Sequence, residues 1–158
     1  MSIEIKIVPT GLLDVNTAIV FDTEHKKAVV VDPGGSEDYL YKFLTDRNLE
    51  LDAILLTHAH FDHTAGTSGL ISKSPDFFGH VKIYMHRDDL PLWEFHDKQG
   101  GMFGIPVEPH TVSITDFLEP GSVLKFPGLE FRILHTPGHS PGSCSFYLES
   151  AKAVFSGD

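Results

Sequence analysis

Short apolar runs separated by turn-forming residues dominate the pattern of this chain. Runs of four to eight residues with polar or Gly/Pro boundaries have the length and composition of β-strands. The predicted strands are residues 3–8, 17–21, 28–31, 53–56, 81–85, 122–126, 129–134, 143–148 and 153–155.

Helical spacing of apolar residues is clearest between Ser36 and Arg47. Ser36 precedes two acidic residues, so we expect it to be the N-cap of a helix that ends near Arg47. A second helix is expected after His63, interrupted by the turn formers Gly66 and Gly69. Strands mixed with helices, some alternating and some not, indicate an α+β or layered α/β fold, and 158 residues suit a single domain.

The highest density of histidine and aspartate side chains directly follows the predicted strand 53–56, in the run Thr57-His58-Ala59-His60-Phe61-Asp62-His63. Imidazole and carboxylate groups are ligands of zinc, and iron or manganese also accept them. His58 and His60 are two positions apart and would point the same way in an extended segment, whereas Asp62 and His63 point differently. One metal could take the first pair and a second metal the other; the alternative is a polar surface loop rich in histidine.

At these residues the chain resembles the metallo-β-lactamase superfamily, which carries an HxHxDH motif on such a loop. Further segments match the motifs of that family in the same order, namely residues 29–34 (VVVDPG), 136–143 (TPGHSPGS) and 155–158 (FSGD). The pattern is most similar to hydroxyacylglutathione hydrolase-like (glyoxalase II-like) thioesterases. The resemblance implies a four-layer αββα sandwich, of which the chain would lack the carboxy-terminal part, including the last ligand histidine of the family.

The resemblance also implies a set of metal ligands, with zinc as the expected ion, one or two per chain, and iron or manganese as alternatives. The first metal would take His58, His60 and His139, the second would take Asp62 and His63, and Asp158 would bridge them. Asp62 is in addition the candidate catalytic residue.

Two such cations lower the pKa of a water molecule, which can then attack a carbonyl carbon. The expected activity is therefore hydrolysis of a thioester or a related acyl compound. The alternatives are a metal-binding but silent half-domain, an iron-dependent sulfur dioxygenase, and a phosphodiesterase on the same scaffold.

For some other residues the sequence allows two interpretations, and for others it predicts a structural role. Asp32 either holds the far nitrogen of a ligand histidine or merely builds the Asp-Pro-Gly turn. His135 and Cys144 are predicted to be structural, and residues 87–111 form either a lid or a helix and loop that cover the core. The remaining histidines lack ligand spacing and are expected on the surface or in loops: His25, His80, His86, His96 and His110.

The composition and net charge restrict the classes of partner and the location that we expect. The formal net charge is −10 and no basic run of five or more residues occurs, which disfavours a nucleic-acid partner. No apolar stretch approaches the roughly 20 residues of a membrane span. The single cysteine suits a reducing cytosol. We therefore expect a cytoplasmic protein that acts on a small acyl or thioester molecule.

Overall fold

The computed structural model describes residues 2–74 and 78–158. Its strands are β1 (Ile3–Thr10), β2 (Val15–Asp22), β3 (Lys27–Val31), β4 (Glu50–Leu55), β5 (Lys82–Met85), β6 (Asp116–Phe117), β7 (Val123–Phe126), β8 (Leu129–His135), β9 (Cys144–Leu148) and β10 (Ala153–Phe155). Its α-helices are α1 (Glu37–Asp46), α2 (Phe61–Thr64), α3 (Thr67–Ser72), α4 (Leu90–Glu94) and α5 (His96–Met102), and 3-10 turns span Arg87–Asp89 and Glu149–Ala151.

The strands form two sheets. The first has six strands in the order β1-β2-β3-β4-β5-β6, and the second has four in the order β10-β9-β8-β7. Strands β1 to β3 pair antiparallel, β3 to β6 pair parallel, and the second sheet is antiparallel throughout. The carboxyl ends of β3, β4 and β5 therefore meet at one edge of the first sheet, which is where α/β proteins place ligand sites.

The central strands of the first sheet are buried on both faces, whereas β1 is largely exposed. Ile19, Val30 and Ile54 pack on the side of the helices, while neighbours such as Val20 and Leu55 pack against the second sheet. Because alternate residues of a strand point to opposite faces, a strand between two cores must be apolar on both, as β3 is after Lys27. The described residues thus form a helical layer and two sheets, which confirms the predicted layered α/β arrangement.

Two local expectations are corrected by the structure. Ser36 makes no side-chain cap bond: it has a left-handed backbone (φ 56°), and its hydroxyl accepts the backbone N–H of Gly11 at 3.3 Å. The helix expected after His63 begins earlier, at Phe61. The two-residue strand β6 was not predicted, because it is too short to show alternation.

His96 and His110 belong to a stack of rings on Trp93; His110 lies in a loop, as expected, whereas His96 is buried in α5. The ring centroids of Trp93 and His110 are 3.5 Å apart, and those of His110 and His96 are 3.8 Å apart. Burial lowers the pKa of His96 to about 4, and burial together with the neighbouring His96 lowers that of His110 to about 3. The stack ties the loop before β6 to helices α4 and α5.

Cys144 is a free, buried thiol on β9, and burial raises its pKa to about 12. This matches the predicted packing role, since a thiol with a raised pKa is a poor nucleophile. A bilayer-crossing segment would need a long apolar helix, and none of the helices among the described residues meets that requirement.

The histidine stack predicts how stability depends on pH. Its histidines have pKa values below the ordinary 6.5, so the unfolded chain takes up their protons first and stability falls as the pH drops from about 6.5 towards 4. His110→Phe keeps a ring on Trp93 but removes one titrating group. In metal-free protein, its unfolding free energy should depend less steeply on pH, by up to about 1.4 kcal/mol per pH unit. Urea titrations between pH 7 and 4.5 measure this, and parallel curves for the two proteins would contradict it.

Candidate metal centre

The histidine motif leaves the carboxyl end of β4 and enters the single turn of α2. His58 and His60 lie on the connecting loop, while Asp62 and His63 lie in the helical turn. A loop followed by one helical turn reverses the chain over a few residues, so the side chains of both halves converge on one point. His139 approaches that point from the turn between β8 and β9, and Asp158 from beyond β10.

Three imidazoles form the first group. A ligand nitrogen from each of His58, His60 and His139 lies within 4.8 Å of the other two. His60 Nδ1 and His139 Nε2 are 2.9 Å apart. His58 Nδ1 lies 2.9 Å from the hydroxyl of Thr57, and its Nε2 is buried with no hydrogen-bond partner in the described part of the chain. A buried polar atom without a partner costs about 1–3 kcal/mol, which a bound cation would offset.

Asp62, His63 and Asp158 form the second group, with ligand atoms again within 4.8 Å of one another. His63 Nε2 lies 3.0 Å from Asp158 Oδ1 and 3.7 Å from Asp62 Oδ2. The other oxygen of Asp158 is 3.4 Å from His139 Nε2, so this carboxylate lies between the two groups. Gly157 permits this placement, because it has φ +65° and packs so closely on Thr57 that a Cβ would clash.

The two groups differ in electrostatics. Burial and the neighbouring imidazoles of His63, His60 and His139 lower the pKa of His58 to about 2, and burial followed by His139 lowers that of His60. Burial opposes the charged form of His63 as well. There Asp32, Asp62 and Asp158 outweigh it and raise the pKa to about 9. The first group therefore offers neutral nitrogens, whereas the second group has a surplus of negative charge.

Asp32 directly follows β3 and contacts this centre. This supports the interpretation that it holds the far nitrogen of a ligand histidine. Its carboxylate accepts the backbone N–H of Thr57 at 2.7 Å, the hydroxyl of Thr57 at 2.5 Å and His63 Nδ1–H at 2.9 Å. A carboxylate on the far nitrogen of a ligand histidine fixes its tautomer and ring orientation. Nε2 of His63 is thereby directed at the carboxylates of Asp62 and Asp158.

Asp89 is a buried residue of the site that the sequence reasoning missed. Its carboxylate accepts the N–H of Ala59 at 2.9 Å, the hydroxyl of Ser140 at 2.8 Å and the N–H of Gly142 at 2.6 Å. It therefore joins the loop of His58 and His60 to the turn of His139. Gly142 is needed there, because a Cβ would press on this carboxylate. The available signal was its position just after the parallel strand β5, at the same edge of the sheet.

Gln99 of α5 was missed as well. Its side-chain amide donates to the carbonyls of Ala59 and Leu92 at 3.1 and 2.6 Å, and its oxygen accepts the N–H of Phe61 at 3.2 Å. Residues 90–102 form helices here, so the helix alternative for the segment 87–111 is the one observed. The helix α5 thus holds the segment Ala59–Phe61 through Gln99, in addition to the contact from Asp89.

His135 lies near the centre but outside it. It stacks on His86 with centroids 4.2 Å apart and planes 6° apart, and its Nε2 lies 3.0 Å from the carbonyl of Pro141. His86, Asp88 and His135 fall within ligand distance of one another. Parallel stacked rings cannot both direct a lone pair at one ion, however. The predicted structural role of His135 agrees with this arrangement. His86 lies in the loop after β5, which agrees with expectation, but it is buried there.

The comparison with protein families decides where the chain belongs. The model of the metallo-beta-lactamase superfamily matches residues 10–158. The chain belongs to the metallo-β-lactamase superfamily. Hydroxyacylglutathione hydrolase GloC of Haemophilus influenzae is 34% identical over 155 residues, which cover 98% of this chain and 70% of that protein. A probable metallo-hydrolase of Bacillus subtilis, YqgX, is 28% identical over 95% of this chain and 68% of its own length.

Solved metallo-β-lactamase folds superpose on the chain. The B3 metallo-beta-lactamase BLEG-1 gives a TM-score of 0.84 at 30% identity, covering 97% of this chain and 71% of that one. TTHA1623, solved in a di-iron-bound form, gives a TM-score of 0.80 at 34% identity over 96% of this chain and 70% of that one.

The resemblance predicted from the motifs is confirmed. The protein is a superfamily hydrolase with glyoxalase II-like relatives and with groups that could hold divalent metals. The ligand roles of the individual residues stay predictions.

The contacts of Asp89 predict a large cost for its removal. In Asp89→Asn the amide nitrogen must face one of three hydrogen donors, so a buried bond is lost and the unfolding free energy should fall by about 2–4 kcal/mol. Asp88→Asn is the matched control, because its side chain is half exposed, and it should change stability by less than about 0.5 kcal/mol. Urea denaturation of both metal-free variants tests this; equal losses would refute the positioning role of Asp89.

Proposed function

We propose that the protein is a zinc-dependent hydrolase of thioesters or related small acyl compounds. The observation that carries the proposal is the convergence of two ligand groups, one of three imidazoles and one of two carboxylates with an imidazole, on the carboxylate of Asp158. Three imidazoles with an open position are a frequent ligand set of catalytic zinc. The net charge of −10 disfavours the phosphodiesterase alternative with a nucleic-acid substrate.

The donor atoms fit a divalent cation. His58 Nε2 is buried without a partner in the described part of the chain, and the low pKa of His58 keeps that nitrogen free to accept a cation at neutral pH. His60 Nδ1 and His139 Nε2 already face one another. We assign the first ion to His58, His60 and His139 and a second ion to Asp62 and His63, with Asp158 shared.

The chain's own residues would orient and protect this chemistry. Bound cations of this kind activate water and polarise a carbonyl group. Asp32 holds the Nδ1 proton of His63, and Asp89 keeps the two ligand-bearing loops at a fixed separation. Asp62, whose side chain is 21% exposed, is the carboxylate we expect to take the proton of the attacking water at Oδ2.

Iron is the second candidate for the metal, and one observation favours it. TTHA1623, with 34% identity to this chain, was solved with two iron ions. An iron-loaded centre on this scaffold would also suit the sulfur dioxygenase alternative, which needs a redox-active metal. Metal analysis of the protein as purified, followed by activity measurements on zinc-loaded and iron-loaded samples, separates the two.

Hydrolysis of S-lactoylglutathione tests the proposed reaction. The zinc-loaded protein should hydrolyse it, and His58→Ala should lose at least about 100-fold in kcat/KM, since removal of a ligand costs charge stabilisation in the transition state. His80→Ala is the matched control, because His80 pairs with Glu50 at the amino end of β4, opposite the candidate centre. No hydrolysis of this or other thioesters by zinc-loaded protein would overturn the proposal.

Metal content tests the division into two groups. Asp62→Ala should weaken the second ion much more than the first, so one zinc ion per chain should stay tightly bound, whereas His58→Ala should lose that tightly bound ion. Equilibrium dialysis over a range of zinc concentrations followed by elemental analysis measures both. Loss of all bound zinc in Asp62→Ala would instead indicate one shared site.

A further inference from the structure

We infer that the substrate carries a sizeable apolar acyl group, which binds in a groove beside the first ligand group. The inference rests on the proposed function and specifies its substrate class. The groove, called the apolar groove below, is lined by Leu13, Leu92, Met102, Phe103 and Ile105.

The groove is continuous with the candidate metal centre. His60, His139 and Asp158 form one end of it, and its volume is about 590 Å³. A carbonyl carbon placed at the ligand groups would therefore have its substituent lying along the apolar wall. Apolar pockets with a few convergent polar groups are the usual form of small-molecule sites.

The wall exposes large apolar side chains to solvent. Met102 is 84% exposed, Phe103 71% and Leu13 52%. Phe103 stacks on Phe61, the first residue of α2, with ring centroids 5.8 Å apart. Apolar side chains clustered next to a polar site are a binding feature rather than scattered surface residues, because each would gain free energy by being covered.

The groove offers an anionic group no positively charged side chain along its apolar wall. Of the described residues that line it, none is lysine or arginine, and its polar residues His60, His139 and Asp158 lie at the end where the candidate metal centre is. The wall therefore suits the apolar acyl part of the substrate.

The thiol part of the substrate would bind in a different groove. A second groove of about 420 Å³ meets the centre from the side of His63, and Asp14, Asn16, Thr57 and Ser156 line it. Its polar groups can hydrogen-bond the amides and hydroxyls of a carrier thiol. We therefore assign the acyl group to the apolar groove and the leaving thiol to this polar groove.

Size also points to an acyl group longer than lactoyl. At about 30 Å³ for each water-sized group, a lactoyl group of about five non-hydrogen atoms would occupy on the order of 150 Å³. That leaves most of the apolar groove unfilled. A medium-length aliphatic or aromatic acyl group would cover the exposed side chains of Met102 and Phe103.

The test compares N-acetylcysteamine thioesters of acetyl, butyryl, hexanoyl and octanoyl groups on the zinc-loaded protein. The value of kcat/KM should rise by about fourfold for each added methylene until the groove is filled. The double variant Met102→Ser/Phe103→Ser should lose about 10-fold or more with octanoyl but less than about twofold with acetyl. Phe95→Ser is the matched control, because Phe95 is 52% exposed on the same segment but does not line the groove.

A measurement without turnover separates this inference from the proposed function. Saturation-transfer NMR on metal-free protein should detect binding of octanamide but not of acetamide, and the double variant should abolish the octanamide signal. Octanamide binding without hydrolysis of any thioester would overturn the proposed function and leave the groove assignment standing. Hydrolysis at one rate for all chain lengths, no octanamide binding, or a chain-length effect that survives the double variant would overturn the groove assignment.

Discussion

The carboxylate of Asp32 is the interaction on which the arrangement of the candidate centre depends. It follows β3, is buried, and accepts the backbone N–H and hydroxyl of Thr57 at the start of the ligand loop. The same carboxylate holds His63 on the helical turn that ends the motif. Asp32 therefore fixes the position of both ends of the histidine motif. Burying this carboxylate costs free energy, which its hydrogen bonds from Thr57 and His63 offset.

Asp89 and Gln99 complete that restraint from two other directions. Asp89 ties the backbone between His58 and His60 to the turn that carries His139, and Gln99 binds the same loop from α5. Ligand side chains on loops are less rigid than those on strands. Here polar side chains from neighbouring elements give the loop the fixed geometry that a strand would supply.

Much of the fold and the position of the histidine motif could be predicted, because these signals are local; the ligand roles of the individual residues stay predictions. Apolar runs with turn residues at their ends located the strands, and the motif residues His58 to His63 are neighbours in sequence. Asp89, Gln99 and the stack of His96 on His110 could not be found this way. Asp89 and Gln99 both bond to Ala59, and His96 contacts Thr64. In each pair the two residues are 30 or more positions apart in sequence, so only the three-dimensional fold brings them together. The prediction for Ser36 was wrong for the opposite reason: local propensity favoured a cap, but its backbone is left-handed and its hydroxyl bonds to the distant Gly11 instead.

The position of Gln99 has a consequence for how this protein can diverge. Gln99 faces the ligand loop, while Met102 and Phe103, one turn further along, project into solvent. One short segment thus combines a side chain that supports the histidine motif with exposed side chains that line the proposed groove. Substitutions at Met102 and Phe103 would change which acyl groups fit that groove, whereas a one-residue insertion before Gln99 would also turn Gln99 away from Ala59. A change in substrate preference would therefore need substitutions at the end of α5 and not a change in its length.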